Sequence, residues 1–300
     1  MVINMELRIE NLTKEFQSVQ AVNGITYTMG KGVYGLLGLN GAGKTTLMRM
    51  LCTLLQPTGG KITCDGADIF EMGAEYRKLL GYLPQDFGFY PDFTVKDYLG
   101  YIASIKGVHK AAAKKRVQEL LAEVGLSKVQ DRKMKKLSGG MKRRAGIAQA
   151  MINAPEILIL DEPTAGLDPN ERIRFRNLIA TLAQDRLVLL STHIVSDVES
   201  IANEILFMKE GEFLHTGSPQ EVISAAKEKV GSLTVSAKDV EEYMKDYKIA
   251  NSRTVSDGMQ IRILSEEKPH PDAYEETPTL EDAFLSFMGE KAGEEDDVIL

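Results

Sequence analysis

Apolar and polar positions alternate along residues 5–37, in "ELRIENL", "ITYTMG" and "VYGLLG". This period-2 pattern predicts short strands, and it stops at a glycine-rich loop. From Thr46 to Leu55 the period changes. Leu47, Met50, Leu51, Leu54 and Leu55 fall at helical spacing, with Pro57 and Gly59-Gly60 as the stop. From about 95 to 153, "VKDYLGYIASIKG", "AAAKKRVQELLAEVG" and "GGMKRRAGIAQAMINA" each carry one apolar stripe. They predict a helical subdomain, about 90–153, inserted into a sheet protein. The next apolar runs, "EILIL" and "LVLLS", are nearly continuous and are separated by a helical stretch from about 170 to 184. Strands of that kind are covered on both faces, so the pattern predicts a parallel sheet in an α/β core.

Beyond about 220 the pattern restarts on a smaller scale. A short helix, the alternating "SLTVS", a helix "DVEEYMKDY", two strand-like runs ("IANSRTV", "MQIRIL"), a Pro/Glu-rich link and a helix "TLEDAFLSFMG" follow in turn. The expected division is a main domain over 1–220, a small α+β unit over 221–288 and a disordered acidic tail over 289–300, "EKAGEEDDVIL" included.

Composition narrows the class. With 43% apolar and 26% charged residues in a chain of 300, the sequence is that of an ordinary globular protein with room for a large core. Its apolar runs fall far short of the ~20 residues needed to cross a bilayer. The start, "MVINMELRIENL", lacks the basic, apolar and small-residue regions of a secretory signal, so a cytoplasmic location is expected. Cys52 and Cys64 sit in no C-x-x-C or His/Cys cluster, and neither a disulfide nor a structural metal is expected. The net charge of −7 is unevenly spread: residues 221–300 carry −10 and residues 1–220 carry +3. Within the latter, 106–145 holds 13 basic and 3 acidic residues, a balance that suits nucleic acid, an anionic membrane surface or simply a solvated helical face.

The chemistry begins at "GLNGAGKTT". Gly38 to Thr45 fits G-x-x-x-x-G-K-[ST], with Asn40, Gly41, Ala42, Gly43, Lys44, Thr45 and Thr46 at its centre. Such a loop turns successive N–H groups on the β- and γ-phosphates of a nucleotide at the positive end of the next helix. Lys44 adds a point charge there, and the Thr45 hydroxyl can complete a Mg²⁺ shell. In "EILILDEP" a buried strand ends in Asp161-Glu162, placing two carboxylates beside the phosphates. Asp161 would hold Mg²⁺ through water, and Glu162 would orient or deprotonate the water that attacks the γ-phosphate. In "LSGGMKRR", Ser138, Gly139 and Gly140 at a helix start form a second anion site.

"LSGGMKRR" resembles the signature of ABC-type ATPases, with Met141 where the family usually has Gln. The resemblance implies a P-loop NTPase core with an N-terminal antiparallel β-subdomain, an inserted helical subdomain and, here, the small C-terminal unit. It covers residue 5 to about 220 and assigns further roles. Gln85 in "YLPQDFG" matches the Q-loop glutamine that also ligates Mg²⁺, Asp168 in "TAGLDP" the D-loop aspartate, and His193 in "STHIVSD" the switch histidine on the γ-phosphate. Phe16 stands where an adenine-stacking aromatic belongs, or is plain core. Gly166 in the D-loop and Met141 are mild departures that leave Ser138, Gly139, Gly140 and Asp168 in place.

The wording between motifs, and the closing "TPTLEDAFLSFMG", is similar to ATPases of the type-2 ABC exporters, which serve multidrug, antibiotic and polysaccharide export. The resemblance implies MgATP hydrolysis in a head-to-tail homodimer, with each ATP between Lys44 of one copy and Ser138 of the other. It also implies a separate membrane permease whose cytoplasmic helix meets "DFGFYPDF", so the chain would sit peripherally on the inner face of the membrane. No direct nucleic-acid contact is expected. The other class, a soluble ABC-type ATPase working on nucleic acid or ribosomes, would carry two cassettes or long coiled coils, neither of which this sequence has.

Overall fold

A computed structural model of the chain describes residues 5–226, 228–265 and 270–289. The contacts divide it into two compact units, Met1–Phe213 and Leu214–Leu300. The expected disordered tail, apart from Gly289, lies outside the described residues.

The first unit opens with two long antiparallel strands, β1 (Leu7–Phe16) and β2 (Val19–Met29). Leu7, Ile9 and Leu12 of β1 are buried and Arg8 and Asn11 exposed. The three-residue step from Ile9 to Leu12 is made possible by a register shift at Asn11, whose φ is 46°, so the apolar face stays inward across the bulge. After β3 (Gly32–Leu37) comes α1 (Lys44–Leu51). This helix starts two residues earlier than the apolar spacing suggests and stops four earlier. Thr53, at φ 55°, turns the chain out of the helix, and Leu54 is exposed. Pro57 therefore does not end it.

Residues 59–83, unassigned from the sequence, form β4 (Gly59–Cys64), β5 (Ala67–Asp68), α2 (Ile69–Met72), α3 (Ala74–Leu79) and β6 (Leu80–Leu83). β4 and β5 complete an antiparallel sheet of order β2-β1-β4-β5. Cys52 and Cys64 are buried, free thiols. Tyr76 of α3 is fully buried and donates its hydroxyl to the Leu51 carbonyl at 2.9 Å, tying this layer to the end of α1.

The helical insertion consists of α4 (Val95–Ile105), α5 (Lys110–Glu123) and α6 (Gly139–Ala150). Thr94 caps α4 through the Asp97 N–H, and Ser138 caps α6 through the Met141 N–H. The chain then re-enters the core as β7 (Ile157–Leu160), α7 (Pro169–Leu182), β8 (Leu187–Thr192) and β9 (Glu204–Lys209). β10 (Glu212–Gly217) carries the chain over the boundary between the units. Within the first unit the second sheet runs β9-β3-β8-β7-β6, with parallel pairing throughout. Every residue of β7 and β8 is buried, as continuous apolar strands require. The fold is the expected α/β P-loop NTPase core with an antiparallel subdomain.

The second unit has α8 (Pro219–Ala225), β11 (Lys229–Val235), α9 (Val240–Asp246), β12 (Lys248–Val255), β13 (Gly258–Ser265), β14 (Tyr274–Glu276) and α10 (Leu280–Met288). Its antiparallel sheet is ordered β12-β13-β11-β14. β14 falls in what the sequence marks as a Pro/Glu-rich link. Its strand character comes from pairing with Val230, Gly231 and Ser232, not from its own composition. On one face Leu233, Val235, Ile249, Ile261 and Ile263 form a core under Val240, Tyr243 and Tyr247. Arg262 of β13 joins β14 and α10, bonding Glu276 and both carboxylate oxygens of Asp282, at 2.9 and 2.7 Å for the latter. Asp282 also accepts from Thr279 and completes a capping box at the start of α10.

Burial by itself would raise the Asp282 pKa, but Arg262 and Thr279 outweigh it and hold the carboxyl below its usual range. A carboxylate depressed in the folded state adds stability above its unfolded pKa of about 3.9 and loses it as pH falls through the folded value. The second unit should therefore loosen selectively below about pH 4. Arg262→Ala, which leaves Asp282 without its cation, should cost about 2–3 kcal/mol at neutral pH and flatten that acid dependence, as read by hydrogen exchange of 229–265 across pH.

Candidate functional site: the carboxyl edge of the parallel sheet

The phosphate loop leaves β3 at Gly38 and enters α1 at Lys44. Two of its glycines are sterically required. A Cβ on Gly38 would stand 2.3 Å from the Met208 carbonyl oxygen, and one on Gly43, at φ 100°, 2.2 Å from that of Ala21. The loop is thus wedged between β9 and β2, an arrangement that the motif alone does not reveal. Residues 40–46 line a cavity of ≈ 260 Å³ together with Ala21, Gln85 and Glu162.

Lys44 is buried, with Nζ donating to the carbonyls of Gly38 at 2.6 Å and Leu39 at 2.8 Å and lying 4.0 Å from Glu162 Oε1. Burial lowers its pKa, with Glu162 and Asp161 acting in the opposite sense. Its ammonium is therefore a poorly solvated charge that a phosphate would satisfy better than two carbonyls do.

Asp161 and Glu162 follow β7 directly. Asp161, 1% exposed, accepts through Oδ1 from the Ser191 hydroxyl at 2.7 Å and the Thr45 hydroxyl at 3.3 Å. Its Oδ2 is buried with no hydrogen-bond partner among the described residues. An orphaned carboxylate oxygen beside a threonine hydroxyl is a hard-oxygen set that suits Mg²⁺, and Gln85 lines the same cavity. The residues present fit the MgATP expected from the sequence.

Glu162 is also buried, at a φ of 43° that is unusual for a glutamate. The Ser191 hydroxyl accepts its N–H at 2.9 Å, and its Oε2 lies 3.1 Å from His193 Nδ1. Lys44, Thr45, Asp161, Glu162 and His193 are therefore gathered in one place, from three separate stretches of chain.

The remaining candidates lie elsewhere in the unit. Ser138 and Gly139 are exposed at the start of α6, and Gly139 lines a second cavity of ≈ 320 Å³ that shares Gln85 with the first. Gly140 abuts Glu171, whose carboxylate would be 2.6 Å from an added Cβ. Asp168 is exposed and caps α7 through the Glu171 N–H at 2.9 Å. Phe16, 44% exposed at the end of β1 with Lys14 Nζ 5.0 Å from its ring, is not core. None of these five lines the phosphate-loop cavity.

Two residues of the site were not singled out from the sequence. Ser191 was detectable as the polar break in the apolar run "LVLLS". Arg143 was not, because "MKRR" reads as one solvated basic stretch; it is nonetheless buried against the chain that carries Glu162.

Comparison with known proteins bears on this arrangement. The family model "ABC transporter" matches residues 22–165. The uncharacterized ABC transporter ATP-binding protein YxlF of Bacillus subtilis is 36% identical over 233 residues, 77% of each chain. The chain belongs to the ABC transporter ATP-binding proteins. Membership makes it an ATPase. The Nod factor export ATP-binding protein I of Burkholderia lata is 37% identical over 217 residues, 72% of this chain and 71% of its own. Among solved structures, cbiO1 from Clostridium perfringens, part of the ABC transporter complex cbiONQ, superposes with a TM-score of 0.68 at 28% identity. That match covers 74% of this ABC ATPase and 92% of cbiO1.

The Ser191 hydroxyl links Asp161 to the Glu162 main chain, so Ser191→Ala strands a buried N–H and leaves Asp161 Oδ1 with only the longer bond from Thr45. A loss of about 1–3 kcal/mol in urea unfolding is expected. The Mg²⁺ concentration needed for half-maximal turnover should also rise, whereas Ser191→Thr should retain most of both.

Proposed function

We propose that the chain is the ATP-hydrolysing subunit of an exporter of the type-2 ABC group, working as a head-to-tail homodimer beneath a separate membrane permease. The observation that carries the reading is the placement of Glu162, 3.1 Å from His193 and 4.0 Å from Lys44 across the phosphate-loop cavity. ATP would enter with its phosphates over residues 40–46, and Lys44 would exchange the Gly38 and Leu39 carbonyls for phosphate oxygens. Asp161, Thr45 and Gln85 would hold Mg²⁺, which supplies charge neutralisation on the β- and γ-phosphates when bound. Glu162 orients or deprotonates the attacking water, and His193 fixes the Glu162 carboxylate and contacts the γ-phosphate. Phe16, exposed at the end of β1, offers a ring face to the adenine.

The exposure of the signature residues supports a second copy. Ser138, Gly139 and Asp168 are exposed and line no part of the chain's own phosphate site. A signature serine that caps a helix yet faces solvent is suited to a phosphate held by another molecule. ATP then joins the two copies and hydrolysis separates them.

Among the described residues no helix is long and apolar enough to cross a membrane, so the translocation path is assigned to the permease. Its docking surface is assigned to the aromatic group beyond Gln85. Tyr90 and Phe93 stack at 5.0 Å, Tyr101 meets both edge-on, and all three are exposed. Exposed aromatics of this kind favour a partner helix over water. The basic stretch 106–144 would face anionic lipid or the permease, at the inner face of the membrane. The relative named for Nod factor export agrees with the exporter reading. The C-terminal unit, acidic and without a phosphate motif, is assigned a regulatory or partner-contacting role.

Two measurements test this reading. Lys44→Ala should lose MgATP binding in a fluorescent-nucleotide titration, whereas Glu162→Gln should bind normally and turn over at least about 10²-fold more slowly. Glu162→Gln with ATP should double in mass by light scattering, and the same protein carrying Ser138→Arg should not. A monomer in both cases, well above the nucleotide affinity, would replace the homodimer with a heterodimer.

A further inference from the structure

Arg143 lies on α6, five residues from Ser138, and is the buried cation of that helix, flanked by the less buried Lys142 and Arg144. Its bonds run to main-chain carbonyls of two separate loops. Nε donates to Pro163 at 3.0 Å and Nη2 to Glu162, while Nη1 donates to Gln85 at 2.5 Å and Pro84 at 3.4 Å. A guanidinium is a rigid planar fork, so four such bonds fix the two loops relative to each other and to α6.

The chain on which it acts is under constraint. Glu162 sits at φ 43°, a conformation that a non-glycine residue keeps where its surroundings impose it. Its N–H is taken by Ser191 and its carbonyl by Arg143. The next carbonyl, of Pro163, also goes to Arg143, and the Thr164 hydroxyl goes to the buried Asp197 at 2.6 Å. Arg143 thus donates to the carbonyl side of the clamp that aims the Glu162 side chain, while Ser191 accepts on the N–H side. The same guanidinium holds the backbone of Gln85, which lines both the phosphate-loop cavity and the cavity at Gly139.

We propose that Arg143 is a positioning residue for hydrolysis, one that couples the seating of the α6 N-terminus to the placement of Gln85 and Glu162 in the same chain. Because α6 is a continuous helix of 12 residues, a shift at Ser138 is carried to Arg143 without loss. A nucleotide bound at the signature of one copy would in this way align the water-orienting glutamate of that copy's own site. The inference rests on the roles given above to Glu162 and Ser138.

The test uses Arg143→Gln and Arg143→Lys in the full chain beside Glu162→Gln, with turnover, nucleotide binding and mass in ATP measured for each. If Arg143 positions the site, kcat falls by about 10²-fold while KM and ATP binding stay within about threefold of wild type. Both variants then accumulate the ATP-dependent dimer without any change at Glu162, a gain that loss of folding would not produce. Added guanidinium ion should also restore part of the turnover to Arg143→Ala. Wild-type turnover in Arg143→Gln alongside an inactive Glu162→Gln overturns this inference and leaves the function reading intact. A joint fall of binding and turnover in both Arg143 variants, with no dimer and no rescue, overturns it in favour of a purely structural role. Wild-type turnover in Glu162→Gln overturns the function reading itself.

Discussion

The parallel register of four buried strands is the constraint from which the site hangs. β3 meets β8 with Leu37 opposite Thr192, β8 meets β7 with Leu190 opposite Leu160, and β7 meets β6 with Leu160 opposite Leu83. Each strand therefore runs out at the same edge. There the next residues are Gly38 of the phosphate loop, His193, Asp161, and Pro84 leading to Gln85. Parallel sheets place their ligand crevices beyond the carboxyl ends of the strands, and here four ends deliver four different chemical groups to one place. Apolar burial on both faces locks that register.

Burying charge at such an edge carries a desolvation cost, and the structure offsets it with main-chain oxygen. Lys44 donates to two carbonyls of its own loop, and Arg143 to four carbonyls of two other loops. Burial lowers the pKa of both, and nearby carboxylates oppose it: Glu162 and Asp161 for Lys44, Asp86, Asp161 and Glu162 for Arg143. The two cations differ in consequence. Carbonyl partners of a flexible ammonium are exchangeable for phosphate oxygens, whereas those of a planar guanidinium with four bonds are not. One is suited to binding and the other to holding geometry.

The second unit solves a smaller version of the same problem. Its sheet has an apolar face under α9 and a polar one where Arg262 gathers the carboxylates of Glu276 and Asp282. That cation connects β13, β14 and the first turn of α10, so a region rich in acidic residues closes around one of its few arginines.

Much of this was present in the sequence itself. Contiguous motifs such as Gly38–Thr46, Asp161-Glu162 and Ser138–Gly140 are legible because a phosphate loop, a strand-end carboxylate pair and a helix-start anion site each depend on neighbours in the chain. The continuous runs "EILIL" and "LVLLS" likewise announce buried parallel strands, since local pattern encodes burial. Tertiary structure decided whatever depends on groups distant in sequence. The bulge at Asn11, the strand at Tyr274–Glu276 and the early end of α1 at Thr53 follow from strand partners and backbone turns that composition does not encode. Arg143 is the clearest case: Lys142, Arg143 and Arg144 are equivalent as letters. Only the packing of α6 against the ends of β6 and β7 selects Arg143 for burial and gives its guanidinium four carbonyls to hold.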